Sequence, residues 1–442
     1  MTETTERRFI VEPGGTLSGT LQVPGDKSIS HRAVMLGAVA EGETAVSGFL
    51  DGDDAMATLA AMRALGVVIE GPEQGRLRIQ GVGLSGLREA SGALDLGNSG
   101  TSMRLLAGLL AGQRFASRLV GDHSLMRRPM RRVTEPLGRM GARIGTEPDG
   151  TAPLVIAPVA ALEGIDYDLP VASAQVKSAL LLAGLYASGE TRVTEPAVTR
   201  DHTERMLEAF GADVRVTGSQ VSVRGGPRLQ GGPVVVPGDI SSAAFFLVGA
   251  SIAGAGTLTL VNVGLNPTRT GVIDILQRMG ARIHVEREDT GAGEPVATLT
   301  VEPSRLQGIA IPPDQVPLAI DEFPALFIAA ACAEGETTLT GAEELRVKES
   351  DRIAVMADGL GALGIQAEPT PDGIRIVGGP LHGGHVQAHG DHRIAMAFAM
   401  AGLVADAPIA IDGCSEVDTS FPGFVERARE AGLRIHSEEG SA

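Results

Sequence analysis

The sequence predicts an α/β protein of two domains, each assembled from three βαβαββ units. Three observations carry this expectation. Val23-Pro24-Gly25-Asp26 recurs as Val236-Pro237-Gly238-Asp239, and a Ser/Ala-rich helical stretch follows each copy. Helix starts near residues 27, 98, 173, 240, 321 and 391 give spacings of 71, 75, 67, 81 and 70. At 442 residues the chain is also longer than one core comfortably supports. A single elongated solenoid of six units is the alternative architecture.

The elements follow in order. Phe9–Val11 and Leu17–Val23 read as strands, and residues 1–23 are expected to pair with the second domain. Residues 24–237 then form the first three-unit domain and residues 238–442 the second. In the first unit Pro24-Gly25 makes a turn, and a helix follows with Asp26 or Ser28 as cap and Ala33 to Ala40 as apolar face. A strand covers Gly42 to Val46, and a second helix runs from about Asp54 to Leu65. It stops at Gly66, where a left-handed residue is favoured. Strands follow at Val67–Ile69 and Leu77–Ile79. The same script runs from Asn98-Ser99-Gly100-Thr101 to Gly141 and from Ser173-Ala174-Gln175 to Gly211. It repeats from Asp239 to Gly280, from Asp321-Glu322-Phe323-Pro324 to Gly364, and from Asp391-His392-Arg393 to Gly432.

Composition excludes several classes. Aromatic residues make up 3%, so the core must come from Ala, Leu, Val, Ile and Met. A formal net charge of -17 argues against general binding of nucleic acid or anionic membranes, although a local Arg/Lys cluster can still hold a small anion. Cys332 and Cys414 form no metal-ligand pair and no disulfide framework. Cys332 reads as core, and Cys414 as a turn residue that can be exposed. His382, His385 and His389 lie in a Gly-rich hairpin-like loop without a familiar metal pattern, and no phosphate-binding Gly-rich loop follows a strand. Apolar windows such as Ala243 to Leu260 are short and Gly/Ala-rich, and the polar start lacks a signal segment, so a cytoplasmic protein is expected.

The helix starts carry the chemistry. Lys27 sits at the mouth of the first helix, with Ser28 and Arg32 on one face. A helix N-terminus so furnished suits an anion, and it equally suits an ordinary capped surface helix. Lys348, Glu349 and Arg352 share one face, which makes either a salt-bridged surface helix or a carboxylate held among cations. Asp321 reads as an N-cap, a general base, or both. If the units repeat in space, Lys27, Arg32, Arg128, Arg200, Lys348, Arg352 and Arg393 line one cleft between the domains and suit a substrate with several anionic groups.

Five stretches together resemble a known family. They are Gly25-Asp26-Lys27-Ser28-Ile29-Ser30-His31-Arg32, Leu96-Gly97-Asn98-Ser99-Gly100-Thr101-Ser102-Met103-Arg104, Arg128-Pro129-Met130, Arg346-Val347-Lys348-Glu349-Ser350-Asp351-Arg352 and Asp391-His392-Arg393-Ile394-Ala395-Met396. The chain resembles the EPSP synthase family of 3-phosphoshikimate 1-carboxyvinyltransferases from about residue 10 to 433. The resemblance implies the two-domain enolpyruvyl transferase fold, with three βαβαββ units around buried helices in each domain. It implies transfer of the enolpyruvyl group of phosphoenolpyruvate to the 5-hydroxyl of shikimate 3-phosphate, with no metal or organic cofactor and a monomeric enzyme. By the same resemblance Lys27, Ser28, Arg32, Ser173, Ala174, Gln175, Arg200, Asp321 and Lys348 hold shikimate 3-phosphate. Lys27, Asn98, Gly100, Arg128, Gln175, Arg352 and Arg393 hold phosphoenolpyruvate. Lys27, Asp321 and Glu349 are the catalytic set, with Asp321 the base toward the hydroxyl and Glu349 the proton carrier at the methylene. Gly100 implies sensitivity to glyphosate, which occupies the phosphoenolpyruvate site in this family.

The chain departs from the family pattern at two positions. Thr419 stands where some relatives carry a Lys, and Ala174 where some carry a second Ser. The sister enzymes that use UDP-N-acetylglucosamine carry Lys-Asn in place of Lys27-Ser28, which sets that alternative behind. A non-catalytic repeat scaffold is the alternative of another class.

Overall fold

Helices come in pairs along the computed structural model, which describes residues 7–288 and 294–439. The pairs are α1 (Lys27–Val39) with α2 (Asp53–Ala64), α3 (Gly100–Ala111) with α4 (Arg131–Arg139), and α5 (Ala174–Gly184) with α6 (His202–Ala209). They continue as α7 (Ile240–Ile252) with α8 (Gly271–Arg278), α9 (Phe323–Ala331) with α10 (Arg352–Ala362), and α11 (His392–Ala401) with α12 (Phe424–Ala431). Each second helix runs into a glycine with positive φ: Gly66, Gly141, Gly211, Gly280, Gly364 and Gly432. The chain divides into an internal unit, Gly25–Val236, and a terminal unit that joins residues 7–24 to residues 237–288 and 294–439. Residues 1–6 of the expected N-terminal segment lie outside the described residues. Among the described residues, no helix is long and apolar enough to cross a membrane.

The first helix of each pair forms the core of its unit. In α1 every residue from Ile29 to Val39 is buried, and in α7, α9 and α11 burial is nearly continuous. Burial exceeds the expected apolar face at Ala33 to Ala40: α1 has no solvent-facing flank, and Ser30, His31 and Arg32 are buried along with its apolar residues. Small residues allow this packing. A Cβ on Gly108 of α3 would stand 2.1 Å from the Ala179 carbonyl oxygen of α5.

Sheets cover these helices. Each full sheet has an edge strand parallel to its neighbour, followed by two antiparallel partners. In the internal unit Pro233–Val235 runs parallel to Glu41–Ser47, beside Arg76–Val82 and then Val68–Glu73. The strand just before α7 thus completes the sheet of α1. In the terminal unit Gly19–Leu21 pairs with Leu258–Gly264. Arg7–Gly15 lies between Ile409–Asp412 and Leu433–Glu439, with Phe9 opposite Ile411 and Ser437. The sheet over α9 has three strands, and its fourth is reduced to isolated bridges such as Ala310 to Thr338. Pro312 and Pro313 lack the N–H groups needed to extend it.

Local chemistry starts most core helices. Asp26, Ser99 and Ser173 cap α1, α3 and α5, and Asp239 and Asp391 cap α7 and α11. The exception is α9, which has no side-chain cap. Asp321 is therefore not an N-cap, and this part of the sequence expectation is corrected. The residue before α9 is Glu322, and Asp321 is drawn to cations instead. Cys414, read as a turn residue that can be exposed, is fully buried, and its thiol donates to the Ile411 carbonyl. Burial pushes the Cys332 and Cys414 thiols up to about 12.

A hydrogen-bonded chain ties α1, α2 and α3 together. His31 Nδ1 lies 2.7 Å from the Thr58 hydroxyl, which lies 2.6 Å from Ser102 Oγ, which donates to Ser99 at 2.7 Å. His31 is fully buried, and its Nε2 has no partner among the described residues. Burial lowers its pKa to about 3, with Lys27 and Arg32 acting in the same direction and Asp54 opposing. The folded state stays neutral while the unfolded chain takes up a proton below about 6.5. The stability this histidine contributes is whole above that pH and is lost progressively as pH falls toward 3. Urea titrations at pH 6.5 and pH 5 are expected to show that His31→Gln removes on the order of 2 kcal/mol of the wild-type loss. Parallel losses in both proteins contradict a neutral buried histidine.

Candidate active site

In the internal unit, hydrogen bonds join the first turns of the core helices. Asp26 accepts from the Ile29 N–H at 2.9 Å, leaving Lys27 at the helix mouth. Lys27 Nζ pairs with Asp54 of α2 at 2.9 Å. Arg104 Nη1 of α3 donates to Gln175 Oε1 of α5 at 2.7 Å, and Gln175 Nε2 donates to Thr101 Oγ1 at 3.1 Å. Ser173 caps α5, and Ala174 follows it, partly exposed. Arg200 is partly buried just before α6.

Asn98 and Arg128 act as a pair. The Arg128 guanidinium donates to the Asn98 side-chain oxygen, and Asn98 Nδ2 donates to Asp122 at 2.6 Å. Asp122 also accepts from the Leu125 N–H at 2.7 Å, which fixes the turn before Arg128. Gly100 lies against this group. A Cβ there would stand 3.0 Å from the Nη1 atoms of both Arg104 and Arg128.

Arg32 is turned inward, only 4% exposed. Its Nε donates to Thr203 Oγ1 at 2.6 Å, Nη2 to Ser178 Oγ at 2.8 Å, and Nη1 to the Ser28 carbonyl at 2.8 Å. The guanidinium thereby fixes the backbone of Ser28.

In the terminal unit, arginines tie one helix start to the next. Arg352, first residue of α10 and 1% exposed, donates through Nε to Asp391, the cap of α11, at 2.9 Å. Its Nη2 meets Glu349 at 2.6 Å, and its Nη1 lies 3.4 Å from Asp321. Burial opposes the charge on Arg352, but Asp391, Glu349 and Asp321 outweigh it and raise its pKa above the usual value. Lys348 Nζ also lies 3.4 Å from Asp321, so one carboxylate oxygen serves two cations. Arg393 Nη1 donates to the Asp321 carbonyl at 3.1 Å and approaches Glu322 at 4.0 Å. Arg269 links Asp239, Ser241 and Glu322 in a buried cluster.

Each unit thus gathers its own share of the expected residues. Lys27, Ser28, Arg32, Asn98, Gly100, Arg128, Ser173, Ala174, Gln175 and Arg200 lie at helix starts of the internal unit. Asp321, Lys348, Glu349, Arg352 and Arg393 form one cluster in the terminal unit. Thr419, at the position where some relatives carry a Lys, is mostly buried and donates to the Glu416 carbonyl at 2.6 Å. His382 pairs with Asp406 at 2.7 Å, and His385 pairs with Asp412.

Sequence reasoning missed the partners that hold these groups. Asp54 and Asp122 leave no local signal, since their roles depend on residues from elsewhere in the chain, and Arg104 closes one of the family-like stretches without being singled out there. Lys177, Glu195 and Glu204 were also missed, although a lysine inside the apolar stretch Val176 to Leu182 was a readable sign of a buried ion pair.

The arrangement can bind and orient an anion with several charged groups, and it places two carboxylates, Asp321 and Glu349, on the same arginine. Comparison with known proteins identifies the family. Residues 11–428 match the family described as EPSP synthase (3-phosphoshikimate 1-carboxyvinyltransferase). The chain is 67% identical over 428 residues to the 3-phosphoshikimate 1-carboxyvinyltransferase of Alkalilimnicola ehrlichii, covering 97% of this chain and 96% of that one. It is 64% identical to the same enzyme from Methylococcus capsulatus, covering 97% and 98%. A solved EPSP synthase from Acinetobacter baumannii superposes with a TM-score of 0.89 at 57% identity, covering 98% of this chain and all of that one. The enolpyruvyl transferase NikO of Streptomyces tendae shares the fold, with a TM-score of 0.79 at 19% identity and coverage of 99% and 100%. The helix-start chemistry, the paired βαβαββ architecture and these likenesses all lead to one conclusion: the chain belongs to the EPSP synthase family of enolpyruvyl transferases.

Proposed function

We propose that this chain transfers the enolpyruvyl group of phosphoenolpyruvate to the 5-hydroxyl of shikimate 3-phosphate and releases phosphate. The observation that carries the reading is the cluster in which Asp321 and Glu349 flank Arg352, with Lys348 on the same Asp321 oxygen. It combines two candidate proton carriers with cations suited to an anionic substrate.

Lys27, Ser28, Arg32, Ser173, Ala174, Gln175, Arg200, Asp321 and Lys348 hold shikimate 3-phosphate in this reading. Lys27, Asn98, Gly100, Arg128, Gln175, Arg352 and Arg393 hold phosphoenolpyruvate. Asp321 takes the proton of the 5-hydroxyl as its oxygen bonds to C2 of phosphoenolpyruvate. The methylene carbon gains a proton through Glu349, with Lys27 assisting, which gives a tetrahedral ketal-like adduct. Elimination then breaks the bond from C2 to the phosphate oxygen while the methyl carbon gives back a proton. Neither step needs a nucleophilic side chain; both need positioned acids and bases and fixed charge around the developing adduct. The same reading carries a cytoplasmic monomer with glyphosate as an inhibitor at the phosphoenolpyruvate site.

The direct test is phosphate release from phosphoenolpyruvate, run separately with shikimate 3-phosphate and with UDP-N-acetylglucosamine. Release with the first alone, reversed by 5-enolpyruvylshikimate 3-phosphate and phosphate, is expected. Release with the second alone overturns the acceptor, and release with neither overturns the reaction. Glu349→Gln is expected to lower kcat by about 10²–10⁴-fold while leaving shikimate 3-phosphate affinity near wild type. A kcat within twofold removes Glu349 from proton transfer.

Gly100→Ala tests the inhibitor. Its methyl would meet Arg104 and Arg128 at 3.0 Å, so both guanidinium ends must give way. In this reading the methyl and the displaced Arg128 crowd the inhibitor, and glyphosate affinity is expected to fall roughly tenfold, about 1.4 kcal/mol. Equal inhibition of both proteins contradicts glyphosate contact at this position.

A further inference from the structure

Lys177 is the one charged residue in the apolar run of α5 from Val176 to Leu182, and it is 1% exposed. Its Nζ donates to Glu195 Oε2 at 2.7 Å and to the Thr199 carbonyl at 3.4 Å, and it pairs with Glu204 at 2.6 Å. Glu195 and Glu204 are themselves buried. Burial pushes the Glu204 carboxyl above the usual carboxylate range, with Lys177 working against the shift. Removing three ionisable groups from water is a poor route to stability, and neutral residues of the same shape often serve as well or better. The cluster therefore calls for a second explanation, and its partners supply one.

All three contacts clamp the segment from Glu195 to Glu204. Thr199 is held twice more by Glu195, through its N–H at 3.5 Å and through its hydroxyl. Arg200 follows directly. Thr203 lies in the first turn of α6, where its hydroxyl accepts from Arg32 at 2.6 Å and lies 2.7 Å from Ser178 Oγ, on the residue after Lys177. Neighbouring residues of α5 thus fix this segment at two points, and Arg200 lies between them.

We propose that Lys177 is a positioning residue, which clamps residues 195–204 through Glu195, Glu204 and Thr199 and so sets Arg200, and through Thr203 Arg32, for the phosphorylated acceptor. This inference rests on the proposed function. It assigns the cluster to acceptor binding and not to proton transfer.

Two variants test it. The first combines Lys177→Met with Glu195→Gln and Glu204→Gln, keeping volume while leaving no buried charge unpaired. The second, Thr199→Val, removes one hydroxyl tether and keeps the side-chain shape. Steady-state kinetics on both substrates, with circular dichroism as the check on folding, give the readout. The triple variant is expected to raise KM for shikimate 3-phosphate about tenfold, with KM for phosphoenolpyruvate and kcat within roughly twofold. Thr199→Val is expected to move the same constant in the same direction by a few fold, and it carries the test if the triple variant does not fold. An unchanged KM for shikimate 3-phosphate in a folded variant, or equal rises for both substrates, overturns the positioning role. Wild-type enzyme that turns over only UDP-N-acetylglucosamine overturns the acceptor reading itself, which the variants leave untouched.

Discussion

The core helices are buried along their whole flanks, and this constraint shapes the rest of the structure. A helix such as α1, with every residue from Ile29 to Val39 out of solvent, can offer polar chemistry only at an end. At that end the first N–H groups have no partner within the helix and the dipole is positive. Asp26, Ser99, Ser173, Asp239 and Asp391 satisfy part of that need, and the remaining positive potential lies beside Lys27, Arg128 and Arg393. The burial that stabilises each unit thus confines its exposed polar chemistry to the helix starts.

A net charge of -17 agrees with this picture once the pairing is considered. The cations at the helix starts stand beside acids: Lys27 on Asp54, Arg352 on Asp391, Glu349 and Asp321. The carboxylates fix long side chains that would otherwise sample many rotamers. Side chains held in this way lose less conformational entropy when an anion binds beside them. Asp391 joins both functions, since it caps α11 through the Arg393 N–H and receives Arg352.

The repeated Val-Pro-Gly-Asp has a geometric cause. The chain passes between its two units at Pro24–Gly25 and again at Val236–Pro237. A Cβ on Gly25 would stand 1.8 Å from the Gly48 carbonyl oxygen, and one on Gly238 would stand 3.0 Å from that of Asn262. Both crossings press the backbone closely against another segment, at Gly48 just after a strand and at Asn262 within one, and at Gly25 no side chain fits. The Asp that follows each glycine then caps a core helix, so each motif ends one unit and starts the other.

Much of this architecture is legible in the chain because caps, helix-ending glycines and charges at helical spacing act over a few residues. Asp26 as a cap, Gly66 as a stop and the shared face of Glu349 and Arg352 need no knowledge of the fold. The misreadings share one physical origin. Asp321 has the sequence of a cap, yet Lys348 and Arg352, about 30 residues away, compete for its carboxylate and win. Cys414 has the sequence of an exposed turn, but its thiol is enclosed by the packed core of the terminal unit. Ala33 to Ala40 has an apolar face in sequence, but only packing reveals that the opposite face is buried as well. Arg32 meets Thr203 across 171 residues, and Lys177 meets a carboxylate on a different element. Most helix starts and stops, and the charges at their mouths, follow from the chain alone, because those energies are local. Tertiary structure alone decided which carboxylate meets which cation, because that choice rests on desolvation and distance between segments far apart in the chain.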